Sequence, residues 1–77
     1  MENLYVIKFD NGTYWCAYNT ADKQLRKAMI YRSLKMAQDV AKDCMDRIKL
    51  IHNAEDVIDY KIVKVEIKEV DGSVEKI

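Results

Sequence analysis

The feature that most constrains the fold of this chain is a run of apolar residues at helical spacing near its middle. Apolar side chains recur at intervals of three and four residues in the order Leu34, Ala37, Ala41, Cys44, Ile48 and Ile51. This periodicity predicts an amphipathic helix of about 17 residues. Ser33 precedes the run and is expected to cap its first turn, because its hydroxyl can accept a bond from an amide two or three residues on. His52 and Asn53 are expected to end the helix.

Before the helix, the sequence predicts a β-hairpin. Residues 4–9 are β-branched and aromatic, the dipeptide Asn11-Gly12 follows, and residues 13–18 read as the returning strand. Asn-Gly favours a two-residue type I′ turn, which would place Phe9 opposite Tyr14. A three-residue loop is the alternative, and it would shift the pairing. With the two-residue turn, one hairpin face carries Tyr5, Ile7, Phe9, Tyr14, Cys16 and Tyr18, and the other carries Leu4, Val6, Lys8, Trp15 and Ala17.

Further strands are expected on both sides of the helix. Residues 28–31 form a short strand-like run, and residues 60–70 alternate so that Val63, Val65 and Ile67 point to one side. Asp71-Gly72 predicts a second hairpin turn, with residues 74–77 as a short edge strand. The chain is therefore expected to be one α+β domain over residues 1–77, with the order ββ(β)αβ(β). A single helix would pack on one face of a three- to five-stranded, mostly antiparallel sheet. The expected core is Ile7, Phe9, Leu34, Ala41, Cys44, Ile48, Val63 and Val65.

Composition excludes several classes of function. The 77 residues carry thirteen basic and thirteen acidic side chains, with a pI near 6.6. This balance argues against a general nucleic-acid coat or a membrane-surface peptide, both of which need excess positive charge. No apolar run approaches the length of a membrane span, and the first residues lack the pattern of a signal peptide. A cytoplasmic location is the expectation, with Cys16 and Cys44 as reduced, buried residues.

Few residues are suited to catalysis or metal binding. His52 is the only histidine, and its pairing with Cys16 or Cys44 as nucleophile is not supported by any recognisable spacing. One histidine and two separated cysteines do not make a soft-metal site. Glu55, Asp56 and Asp59 are expected to form a solvated acidic turn rather than a calcium loop. The sequence thus predicts a non-enzymatic protein with no catalytic residue, metal or cofactor.

Two surfaces remain as candidate binding sites. The first is basic, and the alternatives of a docking patch or an ordinary solvated loop stay open for it. Its residues are Lys23, Arg26, Lys27, Arg32 and Lys35. The second follows from the predicted hairpin faces, because the face that the helix leaves uncovered would expose a tryptophan among aliphatic side chains. Its residues are Val6, Lys8, Trp15 and Ala17.

Four segments together resemble short accessory proteins of phages and prophages of low-GC Gram-positive bacteria. They are Tyr5-Val6-Ile7-Lys8, Asn11-Gly12-Thr13-Tyr14, Ile30-Tyr31-Arg32-Ser33-Leu34-Lys35-Met36-Ala37 and Ile62-Val63-Lys64-Val65-Glu66-Ile67. The resemblance implies a small protein that binds a host protein, in some members to inhibit a defence system such as a CRISPR effector. Two alternatives stay open, namely a homodimer that assembles through the sheet and a weak nucleic-acid binder that uses residues 23–35.

Overall fold

The computed structural model describes residues 3–66, which form one helix and a four-stranded antiparallel sheet. The strands are β1 (Leu4–Phe9), β2 (Tyr14–Trp15), β3 (Ala21–Asp22) and β4 (Tyr60–Val65), and the helix α1 is Leu34–Asp46. Short 3-10 turns cover Leu25–Lys27 and Ile48–Leu50. The predicted α+β architecture is confirmed. The expected Asp71-Gly72 turn and the strand at 74–77 lie outside the described residues.

The sheet has the order β3-β2-β1-β4, so β1 lies between β2 and β4. All three pairings are antiparallel, and the longest joins all six residues of β1 to β4, from Leu4 opposite Val65 to Phe9 opposite Tyr60. Strands β2 and β3 are short because the chain leaves the sheet after Trp15, and Tyr18 and Asn19 take positive φ angles of 59° and 53°. The β1–β4 pair is therefore the most extensive strand pairing of the sheet.

The hairpin loop is one residue longer than the sequence predicted. Lys8 pairs with Tyr14, which leaves Asp10, Asn11 and Gly12 in the loop. The Phe9 amide donates to the Thr13 carbonyl (2.8 Å), and the Gly12 amide donates to the Phe9 carbonyl (3.0 Å). Gly12 has a φ of 90°, a conformation that glycine adopts without steric cost.

The side chain of Asn11 explains why the longer loop forms. Its Oδ1 accepts hydrogen bonds from the Thr13 amide (3.1 Å) and the Thr13 hydroxyl (2.6 Å). An Asn side chain that bonds the backbone two residues on stabilises a local turn of its own. The prediction of a two-residue turn is therefore wrong, and the alternation of the hairpin faces after the loop is inverted.

The main core lies between the sheet and the helix. It confirms Ile7, Phe9, Ala41, Cys44 and Ile48 as core residues. Its buried members are Ile7, Phe9, Trp15, Ala21, Ala41, Cys44, Ile48, Ile51, Ala54 and Val57, with Tyr31, Val40, Met45, Tyr60 and Ile62 packed around them.

Three residues of the expected core lie elsewhere. Leu34 is 43% exposed as the first residue of α1. Val63 and Val65 are half-buried on the opposite sheet face, because the β1–β4 register sets Ile62 opposite Ile7 and Val63 opposite Val6. The residues of β4 that face the helix are thus the even-numbered ones, and the prediction for Val63 and Val65 is wrong.

The helix is shorter than predicted but begins where expected. The hydroxyl of Ser33 accepts a hydrogen bond from the Met36 amide (3.2 Å), which confirms it as the N-cap. Helix α1 has 13 residues and ends where Arg47 leaves helical geometry, with a φ of −125° and a ψ of 29°. The following 3-10 turn keeps Ile48 and Ile51 buried. In residues 3–66 no helix has the length and apolar character needed to cross a membrane.

Candidate protein-binding surface

The sheet face opposite the helix is covered, in part, by residues 25–31. Tyr5 and Tyr31 exchange both backbone hydrogen bonds, each at 2.8 Å, and the Met29 amide donates to the Trp15 carbonyl (2.9 Å). These bonds hold residues 25–31 along the part of the β1 edge that is not paired with the short strand β2. Val6, which was expected to face solvent, is fully buried as a result.

Trp15 also faces inward and is not the exposed anchor that the sequence predicted. It is 7% exposed and belongs to the helix-side core. Its indole N–H donates to the Tyr31 hydroxyl (3.0 Å), and the Arg47 guanidinium lies 5.2 Å from its ring centre. The cause is the three-residue loop, which places Trp15 on the same side of the hairpin as Ile7 and Phe9.

The other two members of the predicted patch do not form an exposed surface either. Lys8 is half-buried, and its ammonium lies 5.3 Å from the centre of the Tyr14 ring. Ala17 is half-buried where the chain leaves the sheet. The expected exposure of Val6, Lys8, Trp15 and Ala17 as one apolar patch is therefore wrong.

An apolar groove lies on this second face instead. It has a volume of about 540 Å³ and is bordered by Val6, Leu25, Arg26, Ile30, Val65 and Glu66. Leu25 and Ile30 stand on one wall and remain 46% and 43% exposed. Val65 of β4 forms part of the other wall and is half-buried. This "sheet groove" is a concave apolar surface with one cation and one carboxylate at its border.

The groove belongs to a longer stretch of exposed apolar side chains. Eight large hydrophobic residues are exposed in the described part of the chain, and five of them fall between positions 25 and 36. Those five are Leu25, Met29, Ile30, Leu34 and Met36. Such concentration is unusual, since exposed apolar residues in monomeric proteins are normally scattered. We call residues 23–36 the exposed segment.

The exposed segment carries positive charge throughout. No Asp or Glu occurs from residue 23 to residue 38, and the five basic residues predicted as a patch all lie within it. Acidic residues lie just outside the segment, since Lys27 is 3.6 Å from Asp22 and Lys35 is 3.3 Å from Asp39. The Gln24 amide, which donates to the Asp22 carboxylate, and the nearby Lys27 lower the pKa of that carboxyl group. Arg26 donates through Nε to the Gln24 side chain (2.7 Å).

A polar, shallow cleft lies between the hairpin loop and the turn that follows the helix. It has a volume of about 660 Å³ and is lined by Asn11, Thr13, Asp22, Lys23, Asn53, Glu55 and Asp56. Asn11 crosses it with Nδ2 donating to the Asn53 carbonyl (2.9 Å) and to Asp56 (3.1 Å). These bonds join the hairpin loop to the turn after the helix, so Asn11, Asn53 and Asp56 have a structural role. Across residues 3–66 no three His, Cys, Asp or Glu side chains are grouped so as to hold a metal ion.

The two thiols are buried, as predicted, and poorly suited to act as nucleophiles. Burial raises the pKa of the Cys44 thiol from 9.0 to about 11, and the nearby Arg47 only partly offsets this effect. Burial and the charge of Asp22 raise the pKa of Cys16 as well. The backbone of His52, for which the sequence supported no pairing with either thiol, is bonded to Asn19 (2.8 Å) and Ala21 (2.9 Å).

Comparisons with protein-family models, with curated proteins and with solved structures find no match. The candidate surface therefore rests on the chain's own geometry. Sequence reasoning located the basic residues of the exposed segment but not its apolar ones. The available signal was their alternation, because Leu25, Met29 and Ile30 are interleaved with Arg26 and Lys27 without an acidic residue among them.

Proposed function

We propose that the protein acts by binding another protein through the exposed segment. The partner is a polypeptide stretch that carries both acidic and apolar side chains. The observation that carries this proposal is the gathering of five of the eight exposed large hydrophobic residues within residues 25–36, interleaved with basic residues. Exposed apolar clusters bordered by polar residues are typical of interaction sites.

The apolar and charged parts of the surface have different roles. Burial of Leu25 and Ile30 against a partner would supply affinity, at roughly 25 cal/mol for each Å² of apolar area removed from water before the costs of association. The positive charges would favour acidic partners, speed their encounter and disfavour basic ones.

The backbone of the exposed segment is held in place before any partner binds. Tyr31 and Met29 are hydrogen-bonded to β1 and β2, and Ser33 caps the helix that follows. A surface that is already ordered loses less conformational entropy on binding. This preorganisation supports a role as a docking surface.

A non-enzymatic role accompanies the proposal. The raised pKa values of Cys16 and Cys44 keep both thiols protonated near neutral pH, and a thiol is a much weaker nucleophile than a thiolate. The phage origin and the inhibition of a host defence system, both implied by the resemblance, stay predictions about which partner is bound.

A peptide-binding measurement tests the proposal. The probe is a fluorescently labelled synthetic peptide of alternating Leu and Glu residues, and a Leu/Lys peptide of the same length is its counterpart. We expect fluorescence anisotropy to show binding of the acidic peptide, weakened by added salt, and much weaker binding of the basic one. The double variant Leu25→Ser/Ile30→Ser should reduce the affinity at least tenfold.

Leu50→Ser is the matched control, because Leu50 is 76% exposed outside the exposed segment. It should leave the affinity unchanged. Equal loss in the control, or equal binding of both peptides, would show that the exposed segment is not a specific site. Labelled single-stranded DNA is tested as a third probe in the same anisotropy measurement. Salt-sensitive binding of the DNA without binding of the acidic peptide would favour the nucleic-acid alternative.

A further inference from the structure

Strand β4 forms one edge of the sheet in the described residues, and the direction of its backbone groups can be deduced. The amides of Tyr5 and Phe9 donate to Tyr31 and Thr13, on the side of β1 away from β4. Backbone groups alternate in direction along a strand, so the even-numbered residues of β1 face β4. Their partners in β4 are Lys61, Val63 and Val65.

Residues 60, 62 and 64 therefore direct their backbone groups outward from the sheet edge. The Tyr60 amide is already bound by the Asp59 carboxylate (2.8 Å). The amides of Ile62 and Lys64 donate to no residue in the range 3–66. A row of this kind is a template for another strand.

We propose that this edge pairs antiparallel with β4 of a second copy of the chain, with Ile62 opposite its own counterpart on a two-fold axis. An antiparallel ladder joins outward-facing residues to outward-facing residues, which restricts the register to a few alternatives. Two of these set Lys61 or Lys64 opposite its own copy, and like charges directly opposite are destabilising. The registers centred on Ile62 and on Val63 avoid this repulsion, and they pair more residues of β4 (Tyr60–Val65) than any other allowed register does.

The register centred on Ile62 is favoured because it gives Lys64 an aromatic neighbour. It sets Lys64 opposite Tyr60 of the partner subunit, twice by symmetry. The chain already contains this type of pair in its own sheet, where Lys8 lies opposite Tyr14 with the ammonium 5.3 Å from the ring centre. The register centred on Val63 would instead set Lys64 opposite an isoleucine.

The apolar side chains of the strand also fit a second copy. Ile62 and Tyr60 are half-buried at the margin of the helix-side core. Pairing about Ile62 would join the two cores across the axis. Because one register sets Ile62 against Ile62 and Lys64 against an aromatic ring, a second copy is the occupant that the structure favours.

Light scattering after size-exclusion chromatography, over a dilution series, tests the proposal. The variant Lys64→Pro removes the outward amide but leaves the bonds of β4 to β1 in place, and Lys64→Arg keeps both the amide and the cation. We expect the parent and Lys64→Arg to be dimers that dissociate on dilution, and Lys64→Pro to be a monomer with an unchanged circular dichroism spectrum. A parent that stays monomeric would overturn the proposal, as would a dimer that is unaffected by Lys64→Pro.

Hydrogen exchange of the unmodified protein gives a second measurement that does not depend on the folding of the proline variant. The amides of Ile62 and Lys64 should be protected at high protein concentration and lose protection on dilution. Protection at every concentration would assign the edge to residues 67–77 of the same chain and overturn the dimer. The variant Leu25→Ser/Ile30→Ser should remain a dimer, so failure of this proposal is distinguishable from failure of the proposed function.

Discussion

Tyr14 lies directly across the hairpin from Lys8, with the Lys8 ammonium 5.3 Å from the centre of the tyrosine ring. This pair is on the sheet face opposite the helix. Because side chains alternate along a strand, the next residue, Trp15, must turn to the helix side. One cross-strand pair thus determines that the only tryptophan of the chain is part of the core.

Replacement of Trp15 by alanine is expected to lower the free energy of unfolding by about 3–5 kcal/mol, as large-to-small core substitutions of aromatic residues do. The side chain is 7% exposed and its N–H is bonded to Tyr31. Urea unfolding followed by circular dichroism measures the change. Tyr14→Ala is the control on the other face and should cost much less. A Trp15→Ala variant as stable as the parent would show that the hairpin register is different.

Ile48→Ala should be far more destabilising than Leu34→Ala, although both residues belong to the same apolar stripe in the sequence. Ile48 is 8% exposed and Leu34 is 43% exposed. We expect Ile48→Ala to cost about 2–5 kcal/mol, with a much smaller effect for Leu34→Ala. Thermal unfolding of the two variants side by side gives the comparison, and equal losses would place Leu34 in the core after all.

Gly12→Ala tests the conformation of the hairpin loop. Gly12 has a φ of 90°, and a Cβ atom there would meet nothing within 4 Å. The expected loss, about 1–3 kcal/mol, is therefore backbone strain and not a steric clash. Gly12→Asn should lose less, because asparagine tolerates left-handed conformations better than alanine does. The contrary result, with alanine tolerated as well as asparagine, would show that the loop does not need a positive φ.

The buried thiol of Cys44 predicts a loss of stability in alkaline solution. Burial raises its pKa from 9.0 to about 11 in the folded protein. Between these values the unfolded chain releases the thiol proton while the folded chain retains it, so the folded state binds more protons. The free energy of unfolding should therefore fall as the pH rises from 9.0 towards about 11.

Urea unfolding at a series of pH values measures this dependence. Cys44→Ala should be less stable at neutral pH but should show a weaker decline over the alkaline range. The slopes are compared, since the variant also loses packing. An identical alkaline slope in parent and variant would contradict the burial of an un-ionised thiol at this position.

The helix could be predicted from the sequence because its signal is local. Apolar residues at helical spacing correctly placed Ala41, Cys44 and Ile48 in the core, and Ser33 correctly marked the first turn. The length was overestimated because Ile48 continues the apolar pattern inside a 3-10 turn. The apolar periodicity of a sequence indicates which side chains are buried. It does not indicate where α-helical hydrogen bonding gives way to a 3-10 turn.

The sheet faces could not be predicted because they depend on the length of one loop and on contacts between distant residues. The Asn11-Gly12 dipeptide marked the position of the turn, but the bonds from Thr13 to Asn11 select the longer loop. For β4, Ile62 and Val63 are both apolar, so the pattern did not say which one faces the helix. That choice is made by the register with β1.

The reciprocal backbone bonds between Tyr5 and Tyr31 have a consequence for the order of assembly. They join the first strand to a residue that follows the whole hairpin and the loop after it. Closing the loop of chain between Tyr5 and Tyr31 costs conformational entropy, and this cost is offset only once the contacts between the two ends have formed. The exposed segment is thus expected to reach its final position after the hairpin has folded. A partner that binds this segment would therefore bind the fully folded protein and not a partly folded intermediate.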